Sequence, residues 1–129
     1  MIRCKQAIFN YLDFKLWVNE YEEVKSFDFT FRSSVEHYYP RHPIAKDEKI
    51  EDKICDNFGN LCLISNKKNS RLSNYMPKAK MDHYHKVGAD SLKQQSMMEV
   101  TKENDNWNSE TIIKEGERMK KILLSNIEW

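Results

Sequence analysis

The chain opens on a helical rhythm. Ile8, Phe9, Leu12, Leu16, Trp17, Tyr21 and Val24 recur at three- and four-residue spacing within the first two dozen residues, the pattern of one apolar face on a long amphipathic helix. The period then changes: Phe27, Phe29 and Phe31 alternate with polar residues and lead through Ser33 to Val35, which predicts a half-buried strand ending near Pro40. Residues 41–57 carry many charges and few apolar groups, and predict a loop with a short helix around "EKIEDKICDN". "GNLCLIS" predicts a short apolar strand opened by Gly59. Asn and Ser crowd the following "NKKNSRLSNYMPKAKMDHYHK", and Pro77 interrupts it, so a short helix and then a second one after Pro77 are expected. "DSLKQQSMMEV" predicts a further short helix capped by Asp90 or Ser91. The tail starts with cap residues Asn108 and Ser109 and places Ile112, Ile113, Met119, Ile122, Leu123 and Ile127 on one stripe, predicting a C-terminal helix. The order of elements is that of an α+β domain with a very small sheet.

Length fits one domain spanning residues 1–129, with an N-terminal helix (1–26), a core (27–86) and C-terminal helices (87–129). The first helix begins without a convincing cap, which suggests the C-terminal part of a longer protein or a helix that packs on something upstream. With 40% apolar, 32% charged and 12% aromatic residues, the composition is globular rather than disordered or membrane-spanning. No segment reaches transmembrane length and the N-terminus lacks a signal-peptide core, so a cytoplasmic location is expected. Cys4, Cys55 and Cys62 show no CxxC spacing, which suggests reduced thiols rather than a disulfide framework or a structural zinc site. A net charge of +1 gives little long-range attraction for a polyanion. Its distribution changes that picture, because Lys67, Lys68, Arg71, Lys78, Lys80 and Lys86 face a single acid, Asp82, between residues 66 and 86. Such a cluster is either a solvated surface or a contact for phosphates.

The candidate chemistry lies in "SSVEHYYPRHP", where Glu36 adjoins His37 at the predicted end of the strand. A carboxylate beside a histidine can be a metal ligand beside a general base, or an ordinary polar strand end. Other histidines are weaker candidates: His42 reads as a solvated loop residue, and the rings of His83 and His85 would diverge by about 200° on a helix. Met97 and Met98 read as core filling. With three glycines there is no Gly-rich phosphate cradle.

Taken together, "VEHYYP", "FGNLCLIS" and "NKKNSRLSN" resemble the signature of an HNH, or His-Me finger, nuclease. "EHYYP", "GNLCL", Asn69, "LSN" with Asn74, Lys78 or Lys80, and then Trp107, Ile113 and Arg118 resemble more closely the C-terminal nuclease domain of GmrSD-type modification-dependent restriction enzymes. The resemblance covers about residues 33–129. It implies a ββα-metal core with a two-stranded antiparallel sheet surrounded by helices, and a DNA endonuclease of restriction or phage defence. It also implies one divalent ion, Mg²⁺ or Mn²⁺, and an N-terminal nucleotide-hydrolysing domain or subunit that selects DNA, modified DNA included. By the same resemblance His37 and Asn60 are catalytic, Glu36 and Asn69 bind the metal, and Arg71, Asn74, Lys78 and Lys80 contact substrate. Two positions depart from the broad pattern: the acid is Glu rather than the commoner Asp, and the last metal position is Asn rather than His.

These residue types suit phosphodiester hydrolysis. His37 has the intrinsic pKa to take a proton from water near neutrality. Glu36 and Asn69 offer the hard oxygens Mg²⁺ prefers, Asn60 could hold the His37 ring or backbone in place, and Arg71, Lys78 and Lys80 could contact flanking phosphates. Glu36, His37 and Asn69 are expected to converge on one shallow cleft with Asn60 behind His37. Neighbours on an ideal strand face opposite ways, so this requires the strand to end or twist at Glu36 and His37. Two rival readings are a non-catalytic module that binds DNA or an adjoining domain, and a nuclease acting on RNA.

Overall fold

The computed structural model describes residues 2–19, 26–27, 34–65 and 72–125, with the side chains of residues 2–5 left aside. These form an α+β arrangement of five α-helices and a two-stranded antiparallel sheet. Helix α1 (Ile2–Asn19) buries Phe9, Leu12 and Leu16 and exposes Ile8 and Tyr11, the division that its spacing predicts. The predicted continuation to Val24 and most of the strand predicted from Phe27 fall on residues outside those described. Strand β1 is Ser34–His37, so the chain leaves the sheet three residues before Pro40.

Between the strands run a short 3₁₀ turn (Lys46–Glu48), helix α2 (Asp52–Cys55) and a second 3₁₀ turn (Phe58–Asn60) that leads straight into β2 (Leu61–Ile64). The strands pair with Ser34 opposite Ile64, Val35 opposite Leu63, Glu36 opposite Cys62 and His37 opposite Leu61. All four residues of β2 are buried, because helices cover both faces. Leu61 and Leu63 pack with Phe9 of α1, whereas Cys62 and Ile64 join Tyr38, Met97, Trp107 and Ile112. Opposite residues share a face, so this register puts Glu36 on the Cys62 side and His37 on the Leu61 side. Cys55 and Cys62 are free and buried.

Three further helices follow. Helix α3 (Pro77–Val87) has proline in its first turn, where no amide partner is lost, and ends at Gly88, whose φ of 88° suits glycine. Helix α4 (Leu92–Asn104) outlasts the short segment predicted for it. Ser91 accepts a bond from the Gln94 amide at 3.2 Å, and the Gln94 side chain accepts one from the Asp90 amide at 2.8 Å. Asp13 of α1 accepts a third, from the Lys93 amide at 3.0 Å, so the start of α4 is satisfied and tied to α1. Helix α5 (Ser109–Leu124) is capped by Asn108, which accepts from the Thr111 amide at 3.0 Å. Lys15 of α1 donates to the terminal carbonyls of Leu123, at 2.9 Å, and Ser125, a cation placed where helix carbonyls lack partners. Among the described residues no helix is long and apolar enough to cross a membrane.

Two details set how the loop before β2 meets α5. A Cβ on Gly59 would collide with the Ile112 carbonyl oxygen and stand 2.6 Å from the Gly116 amide nitrogen, while one on Gly116 would meet the Asn57 side chain at 2.5 Å. Backbone therefore lies on backbone there. Gly59→Ala forces α5 away from the sheet and is expected to cost at least the roughly 1–3 kcal/mol of ordinary overpacking, read as a lower urea midpoint.

Lys93 is fully buried against the same turn, donating to the Gly59 carbonyl at 3.1 Å with the Phe58 ring 5.5 Å away. Burial pushes its pKa down to about 8, against the partial support of neighbouring acids. Below that pH the folded protein carries a charged ammonium in its core. Between it and the ordinary lysine value the unfolded chain binds more protons, so stability rises with pH in that window. The stability of Lys93→Met relative to wild type is therefore expected to be greatest near pH 7 and to decline toward pH 10, measured by urea unfolding across pH.

Candidate functional site around His37 and Asn60

The site is organised by Asn60, the last residue before β2. Its Oδ1 accepts from the Tyr39 amide at 2.7 Å and from Trp107 Nε1 at 3.0 Å, and its Nδ2 donates to the carbonyls of Tyr39 at 3.0 Å and Cys55 at 2.9 Å. Its own carbonyl accepts from the Tyr38 amide at 2.9 Å. The side-chain amide acts as an extra peptide unit, and every donor and acceptor it has is used inside a buried setting. Tyr39 lies two residues beyond His37, and Cys55 immediately precedes Asp56. By tying Tyr39 to Cys55, Asn60 brings the end of β1 against the end of α2. Its bonds thus reach the backbone that follows His37, not the ring.

His37 is the exposed product of this arrangement. Its side chain retains 26% of its accessible surface, and Nε2 lies 2.7 Å from Asp56 Oδ1. Arg41 Nη2 lies 3.4 Å from the other oxygen of Asp56. In the neutral ring, the carboxylate holds the proton on Nε2 and leaves the lone pair on Nδ1. Asp56 was not among the residues singled out in the sequence. It sits in an acidic, loop-like stretch where nothing marks it from Asp47, Asp52 or Glu51, and only the contact across β1 and α2 identifies it.

Glu36 looks the other way. It is 2% exposed, on the Cys62 face, with Lys80 Nζ 3.2 Å from Oε1. The Lys80 ammonium points its hydrogens at the carbonyls of His37 (2.7 Å), Tyr38 (3.1 Å) and Ser73 (3.5 Å). Glu36 therefore has its counter-charge at Oε1, while Oε2 has no hydrogen-bond partner among the described residues. Burial raises the Glu36 pKa, opposed by Lys80 and reinforced by Asp90; burial lowers that of Lys80, opposed by Glu36. Its carboxylate offers hard oxygens, but the Lys80 ammonium already occupies Oε1 and both side chains are buried, which does not favour a second cation there. Among the described residues no three His, Cys, Asp or Glu side chains come together to hold a metal ion.

The other expected site residues divide. Asn69 and Arg71 lie outside the described residues, so Glu36, His37 and Asn60 are the members of the expected cleft whose positions are seen. Glu36 and His37 occupy opposite faces of β1, as strand alternation dictates, so these two do not converge on one cleft as expected: the strand neither ends nor twists between them. Asn74 is exposed. Lys78 is exposed and pairs with Asp105 at 3.0 Å. Lys80, expected at a flanking phosphate, is instead fully buried and holds the carbonyls at the end of β1. Trp107 is buried and bonded to Asn60, with its ring edge-on to Tyr38 at 5.1 Å. Arg118 grips Glu115 with contacts of 2.9–3.2 Å and reaches Ser96 at 2.6 Å, joining α5 to α4.

Removing one member of the buried pair tests its energetic role. Lys80→Met strips Glu36 of its counter-charge and frees three carbonyls, and is expected to cost about 3–5 kcal/mol. The loss should shrink as the pH falls and Glu36 takes up a proton, because a carboxyl with a raised folded pKa is penalised only while ionised. Glu36→Gln in the same chain should recover part of the loss in urea unfolding.

A family model for the C-terminal domain of GmrSD restriction endonucleases matches residues 2–122. No curated protein and no solved structure matches the chain. The match takes in α1, both strands, the Asn60 clamp and nearly all of α5. The chain belongs to the family of C-terminal domains of GmrSD restriction endonucleases.

Proposed function

We propose that this domain is the cutting module of a restriction enzyme, hydrolysing DNA phosphodiester bonds with His37 as general base in an HNH-type centre. The observation that carries the reading is the half-exposed His37 ring, held through Nε2 by Asp56 at 2.7 Å at the end of a strand fixed by Asn60. A base must present a lone pair to water and keep it aimed while the proton moves. Here Nδ1 carries that lone pair. Asn60 positions the backbone on which the ring is mounted, and Trp107 locks Asn60.

One divalent ion, Mg²⁺ or Mn²⁺, belongs to this reading, with Asn69 and Glu36 as the residues the family resemblance offers to hold it; Glu36 is buried against Lys80 on the face of β1 opposite His37, an arrangement that does not fit that role. When bound, such an ion supplies positive charge to the phosphoryl oxygens. Asn74 and Lys78 are exposed near the start of α3 and suit contact with flanking phosphates, as does Arg71. Recognition of the DNA, modified DNA included, falls to a partner domain or subunit N-terminal to this one, as the family's C-terminal designation suggests.

The test compares wild type with His37→Ala on phage DNA carrying natural base modifications, in the full-length protein with Mg²⁺ or Mn²⁺. Product is expected from wild type, none with EDTA, and a loss of roughly 10²- to 10⁴-fold in His37→Ala with little change in melting temperature. Undiminished cleavage by the folded variant removes His37 from the chemistry. DNA bound without product in either protein makes the domain a binding module, and preferential cleavage of RNA reassigns the substrate.

A further inference from the structure

Asp56 touches the proposed base without taking part in the proton transfer itself. Three features set this contact apart from an incidental surface pair. It is short, with Nε2 2.7 Å from Oδ1. Both partners stand on backbone that the buried Asn60 side chain cross-links, through Tyr39 on one side and Cys55 on the other. The second carboxylate oxygen faces Arg41 Nη2 at 3.4 Å, so the two oxygens of Asp56 are directed at two different groups. A carboxylate accepts hydrogen bonds and donates none, so a neutral ring beside it must present N–H. It also repels a phosphodiester, which argues against a role in gripping substrate.

We infer that Asp56 is a positioning residue for His37: it fixes the ring orientation and keeps the proton on Nε2, so that Nδ1 is the atom that accepts a proton from the nucleophilic water. The inference rests on the proposed function. No bond to Asp56 changes in the reaction; the water proton moves to Nδ1, and the Asp56 carboxylate then faces an imidazolium it can stabilise.

Asp56→Asn tests this without altering side-chain volume, since its amide can turn an N–H toward Nε2 and push the ring proton to Nδ1. Two readouts are taken on the full chain. The first is the two-bond ¹H–¹⁵N spectrum of ¹⁵N-histidine-labelled protein, with His37 assigned by its loss in His37→Ala. The second is Mn²⁺-supported hydrolysis of bis(4-nitrophenyl) phosphate. Asp56→Asn is expected to raise the share of the Nδ1–H form and to lower kcat at least 10- to 100-fold, the range for removing the partner that orients a functional histidine, with KM unchanged. Asp56→Glu, which keeps the charge, is expected to restore the wild-type ring signals and part of kcat. A wild-type ring spectrum in Asp56→Asn, or an altered one with undiminished kcat, overturns the inference; so does a loss that appears in KM alone. Undiminished hydrolysis by His37→Ala instead overturns the assignment of His37 as base, and the ring spectrum still reports whether Asp56 sets its tautomer.

Discussion

The site depends on one buried amide. Asn60 accepts from Tyr39 and Trp107 and donates to Tyr39 and Cys55, joining a strand end, a helix end and α5's N-terminal approach through a single side chain. Few alternatives could do this. Aspartate has the acceptors but not the donors, leucine has neither, and glutamine places the amide one methylene further out. A satisfied polar network inside a low-dielectric core is rigid because each bond lost there exposes an unpaired group. That rigidity is what allows an exposed histidine to keep a fixed partner.

Charge is placed inside this small domain with the same economy. Lys80 and Lys93 are both buried, and both spend donors on backbone carbonyls: Lys80 on His37 and Tyr38, Lys93 on Gly59. These carbonyls belong to the segments that flank Asn60, the end of β1 and the turn before β2. A two-stranded sheet four residues long has little ladder of its own to hold its ends, and the lysines supply donors where the ladder stops. Glu36 compensates Lys80 across 3.2 Å inside the core.

Helix packing serves the same centre. Gly59 and Gly116 let the Asn60 turn lie directly on α5, and Trp107, just before that helix, reaches Asn60. Asp13 and Lys15 then bind α1 to the start of α4 and the end of α5. Residues at both ends of the chain thus meet around a loop in its middle, and the family match over residues 2–122 follows that architecture rather than the strand-end motif alone.

Local signals in the sequence marked the longer helices: α1 by its apolar spacing, α4 and α5 by the caps Ser91 and Asn108, and α3 by Pro77 at its start. They also determined the α+β class, the short β2 strand and the family, since "EHYYP" and "GNLCL" are contiguous patterns. The partners of charged groups were not legible. Nothing local tells Lys80, which is buried, from Lys78, which is exposed, or picks Asp56 out of an acidic loop. Whether a lysine faces water or a row of carbonyls is decided by which strand end lies above it, and whether an aspartate meets a histidine is decided by a cross-link between residues far apart in the chain. Sequence determined which side chains had the chemistry for a site; only the tertiary structure decided which face each occupies, because strand alternation and helix packing act on the whole register at once.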